Sequence, residues 1–133
     1  MKNICAGLLL ALLGGCAKHI ELYSDPRGAG LAASEIGEVT IEAQDPVWGA
    51  DVHALFRAGE ATELLNVSFF GNHYNAFKLT PGVYIFLLQC RGYEWTAYPK
   101  ARLIVQQGAR YALTCRMNER STGVYVDARK LPQ

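Results

Sequence analysis

The stretch that decides the fold is residues 80–90, which reads TPGVYIFLLQC. Pro81 and Gly82 form a turn signal, because proline presets φ and glycine tolerates a positive φ. The apolar run that follows carries β-branched, aromatic and aliphatic side chains on both alternating faces. Because the run is short and is bounded by Pro-Gly and by Gly92, it favours a strand over a buried helix. We expect a central strand that is covered on both faces, at least over its first half.

Shorter candidate strands lie on both sides of this stretch, separated by turn signals about every 8–14 residues. They cover residues 36–43, 51–57, 64–70, 77–79, 101–105, 110–116 and 122–128. The sequence shows no convincing helix and no internal repeat. The pattern predicts an all-β fold, an antiparallel β-sandwich of immunoglobulin-like or prealbumin-like kind with roughly seven or eight short strands.

The N-terminus carries an apolar run, Ile4–Leu13, that follows a lysine. This run is too short to span a bilayer, which needs about 20 residues. It ends in Leu13-Gly14-Gly15-Cys16, which resembles a bacterial lipobox. The resemblance implies cleavage between Gly15 and Cys16, with a diacylglyceryl group on the Cys16 thiol that holds the chain at a membrane. An ordinary signal peptide that is cut after Ala17 is the alternative.

These features divide the chain into residues 1–15, a lipoprotein signal peptide, residues 16–34, a lipidated cysteine and flexible tether, and residues 35–133, one β-sandwich domain. The resemblance implies a place in the bacterial cell envelope. Because alanine rather than aspartate follows Cys16, we expect an outer-membrane lipoprotein that faces the periplasm. Half of the chain is hydrophobic, as a folded core requires. The net charge of +1 predicts no nucleic-acid partner.

Three further stretches carry a second resemblance: Tyr23-Ser24-Asp25-Pro26, residues 35–39, and Leu79-Thr80-Pro81-Gly82. Together they resemble small bacterial outer-membrane and periplasmic lipoproteins of uncharacterised function, in which a Tyr-Ser-x-Pro stretch follows the lipidated cysteine. The likeness spans most of the mature chain. Two positions differ from that group. Asp25 replaces the glycine that usually lies between the serine and the proline, and Gln107 replaces the alanine that often precedes the glycine of a later strand-opening motif. The shared motifs are mainly structural and imply no activity.

Two cysteines, Cys90 and Cys115, remain for the folded domain, because Cys5 lies in the signal peptide and Cys16 takes the lipid. Each lies at the end of a predicted strand, on the face that carries large apolar side chains. Since an oxidising compartment favours pairing, we predict a disulfide between them. A metal site or a reactive thiol is the alternative, but neither cysteine lies in a Cys-x-x-Cys motif or has a histidine nearby in the sequence.

Catalytic residues are sought first among the histidines. Asp51 and His53 would share one face of a strand, and His73 lies in the polar turn 71–75. No metal-ligand spacing, nucleophile motif or phosphate loop accompanies them. We therefore predict no enzymatic activity and no cofactor, and a metal-dependent hydrolase at His53 and His73 remains a remote alternative.

The connection after the central strand is rich in aromatic residues, with Tyr93, Trp95 and Tyr98. These rings would form a stacking surface for a glycan such as peptidoglycan, or for a partner protein. Alternatively, Trp95 covers the open end of the sandwich core. We expect this second arrangement, in which Trp95 belongs to the core.

Basic residues suggest a second binding surface, because Arg102 and Arg110 would lie on neighbouring strands. Other members of the patch would be Arg91, Lys100 and Arg116. Arginine binds carboxylate and phosphate through two parallel hydrogen bonds, so this patch would suit lipid headgroups or anionic glycan. The alternative is cross-strand ion pairs, with Glu38, Glu42 and Glu63 as the acidic partners.

Charge is unevenly distributed along the chain, with a net −6 over residues 16–77 and a net +6 over residues 78–133. We expect strands of the two halves to interleave, which would cancel the asymmetry in space. The sequence thus predicts a membrane-anchored periplasmic lipoprotein that acts as a non-catalytic interaction or envelope-structural module. A glycan-binding or peptidoglycan-binding module is the alternative, and the expected partners are another envelope protein or an anionic glycan.

Overall fold

The computed structural model describes residues 20–66 and 73–133. Within them, ten strands occur, and their bounds are β1 (Leu22–Ser24), β2 (Gly37–Ala43), β3 (Gly49–Arg57), β4 (Glu63–Asn66), β5 (Ala76–Leu79), β6 (Gly82–Gly92), β7 (Trp95–Ala97), β8 (Lys100–Val105), β9 (Arg110–Met117) and β10 (Val124–Leu131). Two single 3-10 turns, Pro26–Gly28 and Ala33–Glu35, lie between β1 and β2. None of the described residues belongs to a helix long and apolar enough to cross a membrane.

The strands form two five-stranded sheets, as an all-β sandwich requires. The first sheet has the order β1-β5-β2-β9-β10, and in the second the order is β4-β3-β6, with β7 and β8 both paired to β6. Pairing is antiparallel except between β1 and β5 and between β2 and β9. The predicted sandwich is confirmed, with ten strands in the described residues. The extra strands β1 and β7 have three residues each, too few for alternation to reveal.

Strand β6 is central, as its sequence predicts, with β3 on one side and β7 and β8 on the other. Its inward face is fully buried and consists of Tyr84, Phe86, Leu88 and Cys90. The opposite face, residues 83, 85 and 87, is only half-buried. Among the described residues, the outer face of β6 is therefore less covered than its sequence predicts.

The core lies between the two sheets. Strands β2, β5 and β9 contribute a fully or nearly fully buried set: Val39, Ile41, Phe77, Leu79, Tyr111, Leu113 and Cys115. Phe77 of the first sheet meets Phe86 of the second edge to face, with ring centroids 5.6 Å apart. Cys90 and Cys115 are joined in a disulfide with a Cα–Cα distance of 6.1 Å. The predicted disulfide is thus present, and it links the two sheets.

The folded domain begins earlier in the chain than the sequence predicts. Strand β1 lies within residues 16–34, where a flexible tether was expected, and it pairs with β5. Asp25, directly after β1, is buried and accepts a hydrogen bond from the Thr80 hydroxyl at 2.8 Å. The folded domain therefore begins by residue 22 and not at residue 35. Gly15 and Cys16, with the lipidation and cleavage predicted for them, lie outside the described residues.

The two halves of the chain do not interleave. Strands β1, β2, β3 and β4 come from the acidic half and lie together on one side of the sandwich, whereas β6 to β10 lie on the other. Strand β5 straddles the boundary and lies with the acidic half. Contacts between the sheets keep the same division, since β2 packs against β3 and β8 against β10. The expectation that the charges cancel in space is therefore wrong.

Candidate interaction surfaces

The residues considered for a catalytic site are only partly brought together. Asp51 is 3% exposed, and its Oδ2 accepts a hydrogen bond from Arg91 Nη1 at 2.9 Å and lies 3.4 Å from His73 Nδ1. The β3–β6 register shifts between Val52 and Ala54, so His53 is the extra residue of a β-bulge, and its ring packs on Tyr98. Asp51 and His53 therefore have different side-chain partners, Asp51 contacting Arg91 and His53 contacting Tyr98.

The arrangement around Asp51 positions an arginine. Asp51 Oδ1 is buried and has no hydrogen-bond partner among the described atoms. No group of three histidine, cysteine or acidic residues that could hold a metal ion occurs in residues 20–66 and 73–133. The geometry is that of an ion pair in which Asp51 and Arg91 orient each other.

Arg91 in turn supports an aromatic ring that the sequence prediction missed. Its guanidinium lies over the Trp48 ring, 5.6 Å from the centroid, and the Trp48 backbone N–H donates to the Arg91 carbonyl at 2.9 Å. The Trp48 residue is 64% exposed. The signal was available, since this indole lies in the connection between the Asp45-Pro46 turn and the next strand and is not part of an alternating strand pattern.

The three aromatic residues predicted as one stacking surface have three different settings. Tyr93 lies at the tip of the β6–β7 hairpin and is 83% exposed. Trp95 is half-buried, lies over Gly92 and packs against the core. Tyr98 is 51% exposed and packs edge to face on His53 at a centroid distance of 5.2 Å. The alternative that places Trp95 on the core is confirmed, and the single stacking surface is not formed.

The predicted arginine patch also needs correction. Arg102 lies on β8 in the second sheet and Arg110 on β9 in the first, so their strands are not neighbours. The chain crosses between the sheets over residues 106–109, where a hairpin was expected. Arg110 Nε lies 4.0 Å from Glu38 Oε2, which is one of the cross-strand pairs considered as the alternative. Arg116 pairs with Asp127 at 2.9 Å.

Two edge strands carry a further group of basic residues. Strands β8 and β10 pack beside each other at the same side of the sandwich. They carry four exposed cations, which we call the basic edge: Lys100, Arg102, Arg129 and Lys130. Lys130 Nζ donates to the Gln106 side chain at 2.8 Å, which bridges the end of β10 to the turn after β8. The one carboxylate in these two strand sequences, Asp127, is held by Arg116.

The positive charge of the basic edge is not compensated by acidic side chains on its own strands. With Asp127 neutralised by Arg116, no carboxylate on β8 or β10 is left to compensate the four exposed charges. Summed surface charge of one sign raises the local concentration of anionic partners and accelerates their association. Of the predicted patch, Lys100 and Arg102 belong to this surface, and sequence reasoning missed Arg129 and Lys130 because it paired the wrong strands.

Comparison with known proteins finds no family model, no curated protein and no solved structure that matches this chain.

Proposed function

We propose that this chain is a lipid-anchored protein of the bacterial cell envelope, whose β-sandwich is a non-catalytic interaction module with the basic edge as its partner surface. The observation that carries the proposal is the set of four exposed cations on β8 and β10, without a free carboxylate on either strand. The anchor rests on Leu13-Gly14-Gly15-Cys16 and on the resemblance to small lipoproteins. The Cys90–Cys115 disulfide supports export, because such bonds persist in oxidising compartments.

The partner class follows from the chemistry of the basic edge. Two arginines and two lysines offer donors to carboxylate and phosphate groups, with arginine able to engage both oxygens of one group. A tethered envelope protein meets such groups on anionic glycan at short range. We therefore propose an anionic glycan polymer as the partner.

A second role for these cations has to be separated from binding. Charged side chains on edge strands also prevent sheet edges from pairing with one another. That role predicts self-association when the cations are removed, whereas partner binding predicts a salt-sensitive loss of affinity. The two outcomes can be measured on the same variants.

The test is sedimentation of the mature protein with purified peptidoglycan sacculi across a salt titration. We expect binding at low ionic strength that declines as salt rises. Arg102→Gln with Arg129→Gln removes two cations of the basic edge and should weaken binding roughly 2- to 30-fold. The matched control, Lys78→Gln with Arg120→Gln, removes two exposed cations elsewhere and should bind as the wild type does. Equal binding by both double variants would refute the assigned surface.

The anchor has its own test. The intact mass of protein extracted from membranes should correspond to residues 16–133 with a diacylglyceryl cysteine at Cys16. Cys16→Ser should remain unlipidated and leave the membrane fraction. A native chain that begins at Lys18 without lipid would contradict the anchor.

A further inference from the structure

The start of the folded domain lies very close in sequence to the proposed lipid site. The Glu21 backbone N–H donates to Asn75 Oδ1 at 3.0 Å, and β1 begins at the next residue. Only five residue steps separate Cys16 from Glu21. An extended chain spans at most about 3.3–3.6 Å per residue, so this segment reaches no more than about 18 Å in any conformation.

Strand register fixes which end of the sandwich the anchor holds. Leu22 is level with Ala76, and Ala76 with Thr40, so the chain enters where β2 runs out towards Ala43. Ala43 is in turn level with Cys115, whose disulfide places Cys90 at the same end. We call this the anchor end. It includes the β2–β3 connection, residues 44–48, and the tip of the β6–β7 hairpin, residues 93–94.

Exposed aromatic rings occupy the anchor end. Trp48 directly precedes β3 and Tyr93 directly follows β6, and they are 64% and 83% exposed. The Trp48 ring is held in place by Arg91 above it and by the backbone hydrogen bond to the Arg91 carbonyl. Tryptophan and tyrosine are enriched where proteins meet the water–lipid boundary, because each ring has an apolar body and a polar group.

Charge does not account for this end. Arg91 and Arg116 at this end are engaged by Asp51 and Asp127, and the exposed Arg120 of the β9–β10 turn follows the exposed carboxylate Glu119. Arg129 and Lys130 of the basic edge lie near the opposite end of β10, level with residues 111 and 112 of β9. A contact made by the anchor end therefore depends on its rings and should respond little to salt.

We infer that the anchor end seats in the headgroup layer of the membrane that holds the Cys16 lipid, with Trp48 and Tyr93 at the water–lipid boundary. The inference rests on the proposed lipid anchor, since the short tether is what brings this end to the membrane. It assigns the orientation of the module, which anchoring alone leaves open. The basic edge then stays on the side of the sandwich, accessible to a partner.

The test uses the mature lipidated protein reconstituted in phosphatidylcholine vesicles, with brominated lipid as quencher. The chain has two tryptophans, so Trp95→Phe leaves Trp48 as the sole reporter. We expect Trp48 emission to shift to the blue on reconstitution and to be dimmed by the brominated lipid, equally at low and high salt. Trp48→Phe, which retains only the core-packed Trp95, should show neither effect.

Matched reporters test the orientation. In a background without Trp48 and Trp95, Tyr93→Trp should be quenched, whereas Tyr98→Trp, an exposed ring on the outer face of the second sheet near His53, should not. Failure of the lipidated preparation to float with vesicles would overturn the anchor and this inference together. Flotation with Trp48 unquenched, or with the Tyr98→Trp reporter quenched as strongly as Tyr93→Trp, would overturn the orientation and leave the anchor intact.

Discussion

Replacing Asp25 with alanine should release the N-terminal segment from the body of the sandwich. Asp25 is 4% exposed and accepts two hydrogen bonds, from the Arg27 backbone N–H at 3.0 Å and from the Thr80 hydroxyl at 2.8 Å. Thr80 is itself buried and accepts a hydrogen bond from Arg57 Nη1 at 3.0 Å, while its carbonyl accepts one from the Tyr84 hydroxyl at 2.5 Å. Asp25 thus connects the turn after β1 to the turn that opens β6.

The expected cost follows from those two bonds. The bond to the Arg27 N–H caps a 3-10 turn, and losing a comparable N-cap costs about 1 kcal/mol. The bond from Thr80 has a charged acceptor, and such bonds contribute about 1.5–3 kcal/mol. We therefore expect Asp25→Ala to lower the free energy of unfolding by about 2.5–4 kcal/mol. Glu35→Ala, at an exposed carboxylate in the same segment, should change it by less than about 0.5 kcal/mol.

The Asp25 carboxylate also makes the stability of the fold depend on pH in the acid range. Burial acts to raise the pKa of Asp25, but hydrogen bonds from Arg27 and Thr80 and the nearby Arg27 charge outweigh it and hold the pKa below its ordinary value of 3.8. Folding therefore favours the ionised carboxylate. The resulting stability is present above the unfolded pKa and is lost as the pH falls through the folded one. Wild type should lose more stability than Asp25→Asn between about pH 5 and pH 3.

Urea unfolding at several pH values measures both effects, and a double-mutant cycle with Thr80→Val isolates the pair. We expect a coupling free energy of about 1 kcal/mol or more between Asp25 and Thr80. The reasoning fails if Asp25→Ala is no more destabilising than Glu35→Ala. It also fails if the Asp25 and Thr80 substitutions are simply additive, or if Asp25→Asn keeps the full acid sensitivity of the wild type.

Two more predictions concern stability. The Cys90–Cys115 disulfide closes a loop with a sequence separation of 25, which contributes about 3.5 kcal/mol in the chain-entropy model. Replacing both cysteines with alanine should lower Tm by about 15 °C in calorimetry, and a change of only a few degrees would contradict this. Gly37→Ala would drive a Cβ into Val105 and the Gln106 carbonyl, at a cost of about 1–3 kcal/mol. In Gly123→Ala the added Cβ makes only an ordinary van der Waals contact, so this variant should have the same unfolding midpoint as the wild type. Equal unfolding midpoints for the two glycine variants would refute the packing argument.

The parts of the fold that the sequence could predict were those with long, regular patterns. Strand β6 has 11 residues and contains a continuous apolar run from residue 83 to residue 88. The disulfide was predictable because two cysteines ended predicted strands on inward faces. The β-bulge at His53 could not be predicted from the sequence pattern. One inserted residue changes which side chains face the core without altering composition, so Leu55 is fully buried, although simple alternation from the buried Val52 would place Ala54 and Phe56 inward.

The candidate surface was harder to predict because it depends on which sheet each strand joins. Residues 106–109 are short enough for a hairpin, and a hairpin would have made β8 and β9 neighbours, with Arg102 beside Arg110. The chain instead crosses to the other sheet, where β9 pairs with β2 and β10. The turn sequence alone does not distinguish the two paths, because both need a tight reversal and Gly108 adopts a positive φ of 70° in this one.

The strand topology also explains why the acidic half and the basic half of the chain are separated in the folded domain. Each sheet has a single seam between the two halves, β2 with β9 in the first and β3 with β6 in the second. Because the seams lie side by side, the acidic half and the basic half remain on separate sides of the sandwich. Strand β1, next to the proposed anchor, and β10, which carries Arg129 and Lys130, are therefore opposite edges of one sheet. A partner bound to the basic edge would meet the module at the edge farthest from its tether, where the anchor obstructs it least.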